Sequence, residues 1–472
     1  MTISPFDPIA AVSTPYGKGG VAVIRLSGET AVAVAERVFA PASGRALGAS
    51  PARMAVYGNI CDPANGRVLD DGLCTVFRGP HSFTGEDTVE ISCHGGVLVT
   101  RNVLEACLRA GARQALPGEF TRRAFLNGKL DLERAEALGN LLDAGNDEQV
   151  DLARAGMNGL LTASAEAVYA DLCGVLSHLE AGMDFPEEDL TELTRDELIA
   201  AVTGAESRII SLLATYRTGH AIAEGVPTVI CGRPNVGKSA FYNRLCGREA
   251  AIVTAIAGTT RDVLTDTVSL GRVTLRLSDT AGLRESDDPV EQIGVARARQ
   301  AVDEAELVLL LSDADPDPEA DALANELTAK GKCVLRIRTK SDLAEPCDAA
   351  SAADAASAAD AAIGATATDD IRLSSVTGEG FDALRAAVET AFIDAGLRMG
   401  EEAVVFSARQ AAALREAAEA LREAAQGLTF GLPYDLCADD LRAALSPLAT
   451  LCGREATEDV LTEIFSRFCV GK

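Results

Sequence analysis

Close cysteine pairs are absent from this sequence. Its twelve cysteines are never nearer than the thirteen positions from Cys61 to Cys74, so no C-x-x-C pair offers a zinc or redox site, and free thiols in a reducing compartment are expected. No run of eighteen or more apolar residues is free of charge, although apolar residues make up 47% of the chain. The first residues, MTISPFDPIA, have neither a basic stretch nor an apolar segment of secretory type. A cytoplasmic location and no membrane association are therefore expected. Positive charge is short as well: 43 Lys and Arg against 70 Asp and Glu give a net charge of −27. That field repels nucleic acid at long range, so contact with RNA needs locally gathered basic groups or a partner that supplies them.

What is present is length, and with it several cores. A chain of 472 residues exceeds what one core organises, which predicts two or three domains. Residues 1 to about 120 mix short β-rich runs (VAVIRLSG, TVEISCHG) with Gly and Pro turns, the texture of an α+β domain. From Arg123 to about Arg217, apolar residues recur at helical spacing. From Val226 to about Ala395, apolar strands (PTVICG, VTLRLSD, ELVLLLSD, KCVLRIR) alternate with helical stretches, as in a βαβ sheet. Helix returns from about Ser407 to Phe468. An α/β domain inserted between two helical halves, which pair as one helical domain, accounts for this order. A six-residue Ala/Asp/Ser repeat through Asp348, Asp354 and Asp360 offers nothing larger than methyl groups to a core and is expected to be a surface insertion.

The chemistry is fixed by Gly232-Arg233-Pro234-Asn235-Val236-Gly237-Lys238-Ser239, a GxxxxGK[ST] P-loop placed after the strand PTVIC and before the helical AFYNRLC. Its glycines let N–H groups face phosphates, Lys238 reaches the β and γ oxygens, and Ser239 ligates Mg²⁺. Asp279-Thr280-Ala281-Gly282 ends the strand VTLRLS, where Asp279 serves the Mg²⁺ shell and the Gly282 N–H senses the γ-phosphate. Thr339-Lys340-Ser341-Asp342 follows KCVLRIR, and the Asp342 carboxylate there accepts from the N1 and N2 edge of guanine, which favours GTP over ATP. Gly258-Thr259-Thr260-Arg261-Asp262 is a switch in which Thr260 completes the Mg²⁺ shell only when the γ-phosphate is present. Leu283 follows this DTAG, so the glutamine with which Ras-like proteins position water is missing, and no arginine finger is evident.

These residues, with DPIAAVSTPYGKGGVAVIRLSG, FTGEDTVEISCHGG, PGEFTRRAFLNGKLDL and the terminal CVGK, resemble the MnmE (TrmE) family of tRNA-modification GTPases along nearly the whole chain. The resemblance implies an N-terminal α+β domain over 1–122 that binds tetrahydrofolate and dimerises. It implies a helical domain in two parts, 123–222 and 397–472, and an inserted Ras-like P-loop GTPase domain over 223–396. It further implies a homodimer that acts with an FAD-containing partner, MnmG, in a heterotetramer-type complex. Together they add an aminomethyl-type group at carbon 5 of the wobble uridine of certain tRNAs. The one-carbon donor is 5-formyl- or 5,10-methylene-tetrahydrofolate.

By the same resemblance, GTP is held by Asn235, Val236, Gly237, Lys238, Ser239 and Ala240, and by the loop Thr254, Ala255, Ile256, Ala257, Gly258, Thr259 and Thr260. The remaining GTP contacts are Asp279, Thr280, Ala281, Gly282, Thr339, Lys340, Ser341, Asp342, Ser374, Ser375 and Val376. A K⁺ ion held by Asn235, Thr254, Ile256 and Thr259 takes the place of an arginine finger, beside the Mg²⁺ held by Ser239 and Thr260. Glu291 matches the carboxylate that positions water, although Asp288-Pro289-Val290-Glu291 also reads as a helix cap. Folate contacts are implied for Arg25, Glu90, Lys129 and Lys472, with Cys469 a participant in the modification; on their own Arg25 and Glu90 read as a solvated strand face and FCVGK as a frayed tail.

Three departures from the family pattern stand out. Thr339 replaces an asparagine whose amide braces the P-loop and meets the base, which predicts weaker nucleotide binding. Ala255 stands where an acidic residue is common, and Ser375 where alanine is usual, with its N–H still directed to guanine O6. The other reading of the same motifs is a ribosome-assembly or RNA-binding GTPase switch without modification chemistry. That class carries a basic RNA-binding domain, whereas this tail is acidic to mixed.

Overall fold

Strand alternation in the first 120 residues builds a seven-stranded sheet with one face packed and the other carrying the charged pair discussed below. The computed structural model describes residues 7–184, 194–249, 266–278, 301–313, 317–343, 370–454, 458–466 and 468–471. These form two compact units, one of 1–142, 156–205 and 419–472, the other of 143–155 and 206–418.

In the first unit the strands are β1 (Ile9–Val12), β2 (Val21–Ser27), β3 (Phe39–Pro41), β4 (Ala55–Cys61), β5 (Val68–Phe77), β6 (Thr88–His94) and β7 (Arg113–Gln114), in the order β3-β4-β5-β6-β2-β1-β7. Only β1 and β7 pair in parallel; the other pairs are antiparallel. Because side chains alternate across a strand, Ala22, Ile24 and Leu26 of β2 and Val89, Ile91 and Cys93 of β6 point to one core, shared with the helices Ala31–Val38 and Val97–Arg109. Arg25 and Glu90 therefore share the opposite face. The first unit also holds the helix Leu160–Asp184, whose buried residues Leu161, Ala165, Val168, Leu172, Val175 and Leu179 recur every three or four positions. That stripe packs on the helix Tyr434–Leu451, and the pair is tied by Arg442 to Glu180 at 2.6 Å. One helix from each helical half thus meets the other here, while residues 206–222 and 397–418 of those halves belong to the second unit. By length and composition the stretches 147–181 and 195–223 are apolar enough to cross a bilayer, and the first contains this inward stripe.

The second unit carries a six-stranded sheet in the order β13-β12-β11-β8-β10-β9. Its strands are β8 (Val226–Gly232), β9 (Asp266–Leu270), β10 (Val273–Leu277), β11 (Leu307–Ser312), β12 (Cys333–Arg338) and β13 (Ile371–Arg372). All neighbours are parallel except β9 and β10. The run LVLLLS of β11 is buried at every position, as a central parallel strand covered on both faces requires. Strand β8 lies between β10 and β11, so connections leave it towards both sides of the sheet. Such a reversal leaves a crevice at the carboxyl ends of the strands, where α/β sheets take ligands.

Candidate functional site: a P-loop and its guanine motif

The P-loop occupies that crevice. It runs from the end of β8 into the helix Lys238–Glu249. Gly232 has φ +149°, and a Cβ on it would stand 2.5 Å from the Leu311 carbonyl, so the exit from β8 past β11 admits only glycine. Gly237, with φ +99°, makes the second turn, and Asn235 takes the left-handed region at φ +63°, a conformation asparagine tolerates better than most residues. Val236 is buried beneath the loop. The Lys238 ammonium donates to the carbonyls of Gly232 at 2.9 Å and Arg233 at 2.7 Å, and burial holds its pKa below the usual lysine range. Arg233 in turn bonds Asp317 at 2.7 Å, which also accepts from Ser312 and caps the helix Pro318–Ala329. Ser239 lies exposed in the first turn of the P-loop helix and Ala240 follows it.

The TKSD segment follows β12 at the same end of the sheet and grips the P-loop from beside it. The Thr339 hydroxyl donates to the Val236 carbonyl at 2.6 Å. The brace expected to be lost with the missing amide is therefore retained through a hydroxyl. Lys340, itself left-handed at φ +60°, donates to the Asn235 carbonyl at 3.0 Å and to Asp313 at 2.7 Å. Asp313 is held below the usual carboxylate range chiefly by that hydrogen bond. Consecutive residues of one motif thus hold consecutive residues of the other.

Asp342 is exposed, and its Oδ1 accepts from the Ser374 hydroxyl at 2.7 Å. Ser374 is fully buried after β13, and its oxygen also receives the N–H groups of Val376 at 3.3 Å and Thr377 at 3.2 Å. Sequence reasoning assigned this segment only a backbone role; the side-chain bond that aims the Asp342 carboxylate was missed. Its one signal was a serine two positions after a short strand. Arg244, on the P-loop helix, donates to the carbonyls of Val376 at 3.4 Å and Thr377 at 3.0 Å, and Phe241 stacks on Phe381 with centroids 5.7 Å apart. Ser341 and Ser375 are half-buried, and Val376 is exposed. Thr254 to Thr260, Asp279 to Gly282, Glu291 and the Ala/Asp/Ser repeat lie outside the described residues.

In the first unit, β2 and β6 set Arg25 opposite Glu90. The guanidinium donates to Glu90 Oε1 through Nε at 2.9 Å and through a terminal nitrogen at 2.8 Å, and it lies 5.7 Å from the Phe83 ring centre and 5.9 Å from that of Phe120. The pair is neither solvated nor sealed, with side chains 17% and 28% exposed. Lys129, after the left-handed Gly128, is exposed and donates to the Pro80 carbonyl at 3.0 Å.

The C-terminal residues are docked on this unit. Phe468 is buried against Phe465 with ring centres 5.9 Å apart, Val470 bridges Pro117, and the Ser13 hydroxyl donates to the Gly471 carbonyl at 3.1 Å. Gly471 has φ +107°, and a Cβ there would fall 2.1 Å from the Val12 carbonyl. Cys469 is exposed between these anchors, while Lys472 lies outside the described residues.

Comparison with known proteins agrees with this architecture over the full length. The family model described as GTP-binding protein TrmE N-terminus matches residues 8–129, and that described as MnmE helical domain matches residues 132–469. The tRNA modification GTPase MnmE of Symbiobacterium thermophilum is 45% identical over 468 residues, covering 99% of both chains. That of Geobacillus thermodenitrificans is 40% identical over 472 residues, covering 100% of both. Among solved structures, Era of Aquifex aeolicus is 22% identical, covering 41% of this chain and 65% of that one with a TM-score of 0.25. The chain belongs to the MnmE family of tRNA modification GTPases.

Proposed function

We propose that this chain is a potassium-stimulated GTPase that acts with MnmG in the cytoplasm on carbon 5 of the wobble uridine of certain tRNAs, drawing a one-carbon unit from a tetrahydrofolate. The observation that carries the reading is the joint placement, at one end of a parallel sheet, of a P-loop and a carboxylate aimed by Ser374. That arrangement takes a phosphate at the helix N-terminus and the N1 and N2 donors of guanine at Asp342. Adenine has no such donor pair. The domain limits proposed are 1–122, 123–222, 223–396 and 397–472, with dimerisation through the first.

Ser239 and Thr260 are proposed to hold Mg²⁺, and Asn235, Thr254, Ile256 and Thr259 to hold K⁺. Of the K⁺ set, Asn235 is described; its main-chain carbonyl already accepts from Lys340, and its side-chain amide oxygen would offer an ion a further donor. A neutral oxygen donor of that kind suits K⁺. When bound, the ion supplies positive charge where it develops between the β and γ phosphates. Glu291 is proposed to position the attacking water; a cap survives Glu291→Gln, so normal hydrolysis by that variant would refute the catalytic role.

Arg25, Glu90, Lys129 and Lys472 are proposed to bind the folate, with Cys469 beside it. Both Arg25 bonds go to Glu90 Oε1, and among the described residues no hydrogen bond reaches Oε2. That oxygen is suited to accept from the amino and ring N–H groups of a pteridine. The half-buried Phe83 ring lies beside the guanidinium on the same face, above the fully buried Phe120. The direct test is nucleoside composition of tRNA from cells lacking the protein. Loss of the C5-modified wobble uridine with unchanged ribosome profiles is expected; normal tRNA nucleosides would overturn the proposal in favour of an RNA-binding switch.

A further inference from the structure

Guanine carries two acceptors on its outer edge, O6 and N7, and a side chain can read N7 only by donating a proton to it. Thr339 has one side-chain proton. Its buried hydroxyl stands 2.6 Å from the Val236 carbonyl and 3.3 Å from the Ser312 carbonyl, so the shorter contact takes that proton. The Thr339 main-chain N–H is committed as well, to the Ser312 carbonyl at 2.9 Å. No donor on this residue remains for a ligand. Around it, Lys340 is engaged with Asn235 and Asp313 and the Ser374 hydroxyl with Asp342, while the Ser341 hydroxyl has no partner among the described residues but is buried and presents no surface to a ligand.

We infer that Thr339 is a positioning residue of the P-loop and does not read the base, so that this protein selects guanine through its N1, N2 and O6 edge and is indifferent to N7. The inference rests on the reading of the second unit as a guanine-nucleotide domain. It follows from a proton count, because a hydroxyl that braces the loop has nothing left to give, whereas an amide has two donors. Base recognition and loop bracing are thereby separated onto different side chains, Asp342 for the first and Thr339 for the second.

The test uses the purified full-length protein with Mg²⁺ and compares GDP with 7-deaza-GDP by calorimetry. Equal affinities, within about threefold, are expected, since a hydrogen bond to N7 of typical net worth would make a difference of about fivefold. Thr339→Val, which keeps the shape and removes the hydroxyl, should weaken both nucleotides by the same factor, about tenfold. Thr339→Ser should restore both. A loss of more than about threefold for 7-deaza-GDP in the unaltered protein would overturn the inference while leaving the guanine-nucleotide reading intact. Absence of GDP binding altogether would overturn both. Should Thr339→Val fail to fold, the analogue comparison on the unaltered protein still decides.

Discussion

The Ser374 hydroxyl donates to Asp342 Oδ1 at 2.7 Å, and the same oxygen receives the N–H groups of Val376 and Thr377. One buried side chain therefore fixes both the carboxylate and the loop beside it. Ser374→Ala removes the donor to the carboxylate and leaves two N–H groups without their acceptor. Guanine-nucleotide affinity should fall about tenfold, read by calorimetry with GDP. An unchanged affinity would mean that Asp342 is aimed by something else.

Arg25→Lys keeps the charge facing Glu90 but loses the planar fork that holds Glu90 Oε1 through two nitrogens. Binding of 5-formyl-tetrahydrofolate should weaken by tenfold or more on the order-of-magnitude scale of a charge-assisted pair. A fluorescence titration of the folate measures it. Binding as tight as in the unaltered protein would remove Arg25 from the folate site and leave it a strand-pairing residue.

Gly471→Ala places a methyl group 2.1 Å from the Val12 carbonyl at a φ that L-residues rarely adopt. The tail should lift from the first unit at a local cost of about 1–3 kcal/mol. Hydrogen exchange reads this directly, because the Val470 bridge to Pro117 would be lost and the amides of residues 468–471 should exchange faster. Protection equal to that of the unaltered chain would show that the close approach does not hold the tail.

The sequence made part of this legible and hid part, for physical reasons. Strand β11 announced itself because a strand buried on both faces must be apolar throughout, β8, β10 and β12 by short runs rich in Val, Ile and Leu, and the P-loop because its glycines are dictated by backbone geometry. Strand β9, with the pattern DTVSL, and the two-residue β13 carry too little apolar signal to stand out. The Arg25–Glu90 pair was legible only as two charges on alternating strands, since register, which sets them opposite each other, is a long-range property. The docked tail was invisible for a similar reason: nothing local in FCVGK indicates that Val12, Ser13 and Pro117 lie beneath it. Thr339 shows how a residue identity can mislead in part, because a departure from asparagine reads as a lost brace until the hydroxyl is seen to reach Val236.

His94 and Asp70 give a pH dependence whose sign can be worked out. The Asp70 hydrogen bond, then its charge, raises the His94 pKa above the usual histidine range. For Asp70, burial alone would raise the pKa, but the hydrogen bonds from the His94 N–H and ring outweigh it and the net shift is downward. A raised histidine contributes stability that is complete below its unfolded pKa and is lost as pH climbs through its folded value. A lowered aspartate contributes stability that is complete above its unfolded pKa and is lost as pH falls through its folded value. The pair is therefore at full strength between about pH 4 and 6.5. NMR titration should place the His94 midpoint above that of an ordinary histidine, and Asp70→Asn should return it; a midpoint unmoved by Asp70→Asn would refute the pairing.

The central claim, that this protein hydrolyses GTP with a monovalent cation in place of an arginine finger, is tested most directly by the GTP turnover rate in KCl against NaCl at matched ionic strength. The account predicts turnover in KCl faster by on the order of tenfold or more, the scale of one charge placed where the transition state develops its own. Equal, slow rates in both salts would contradict it.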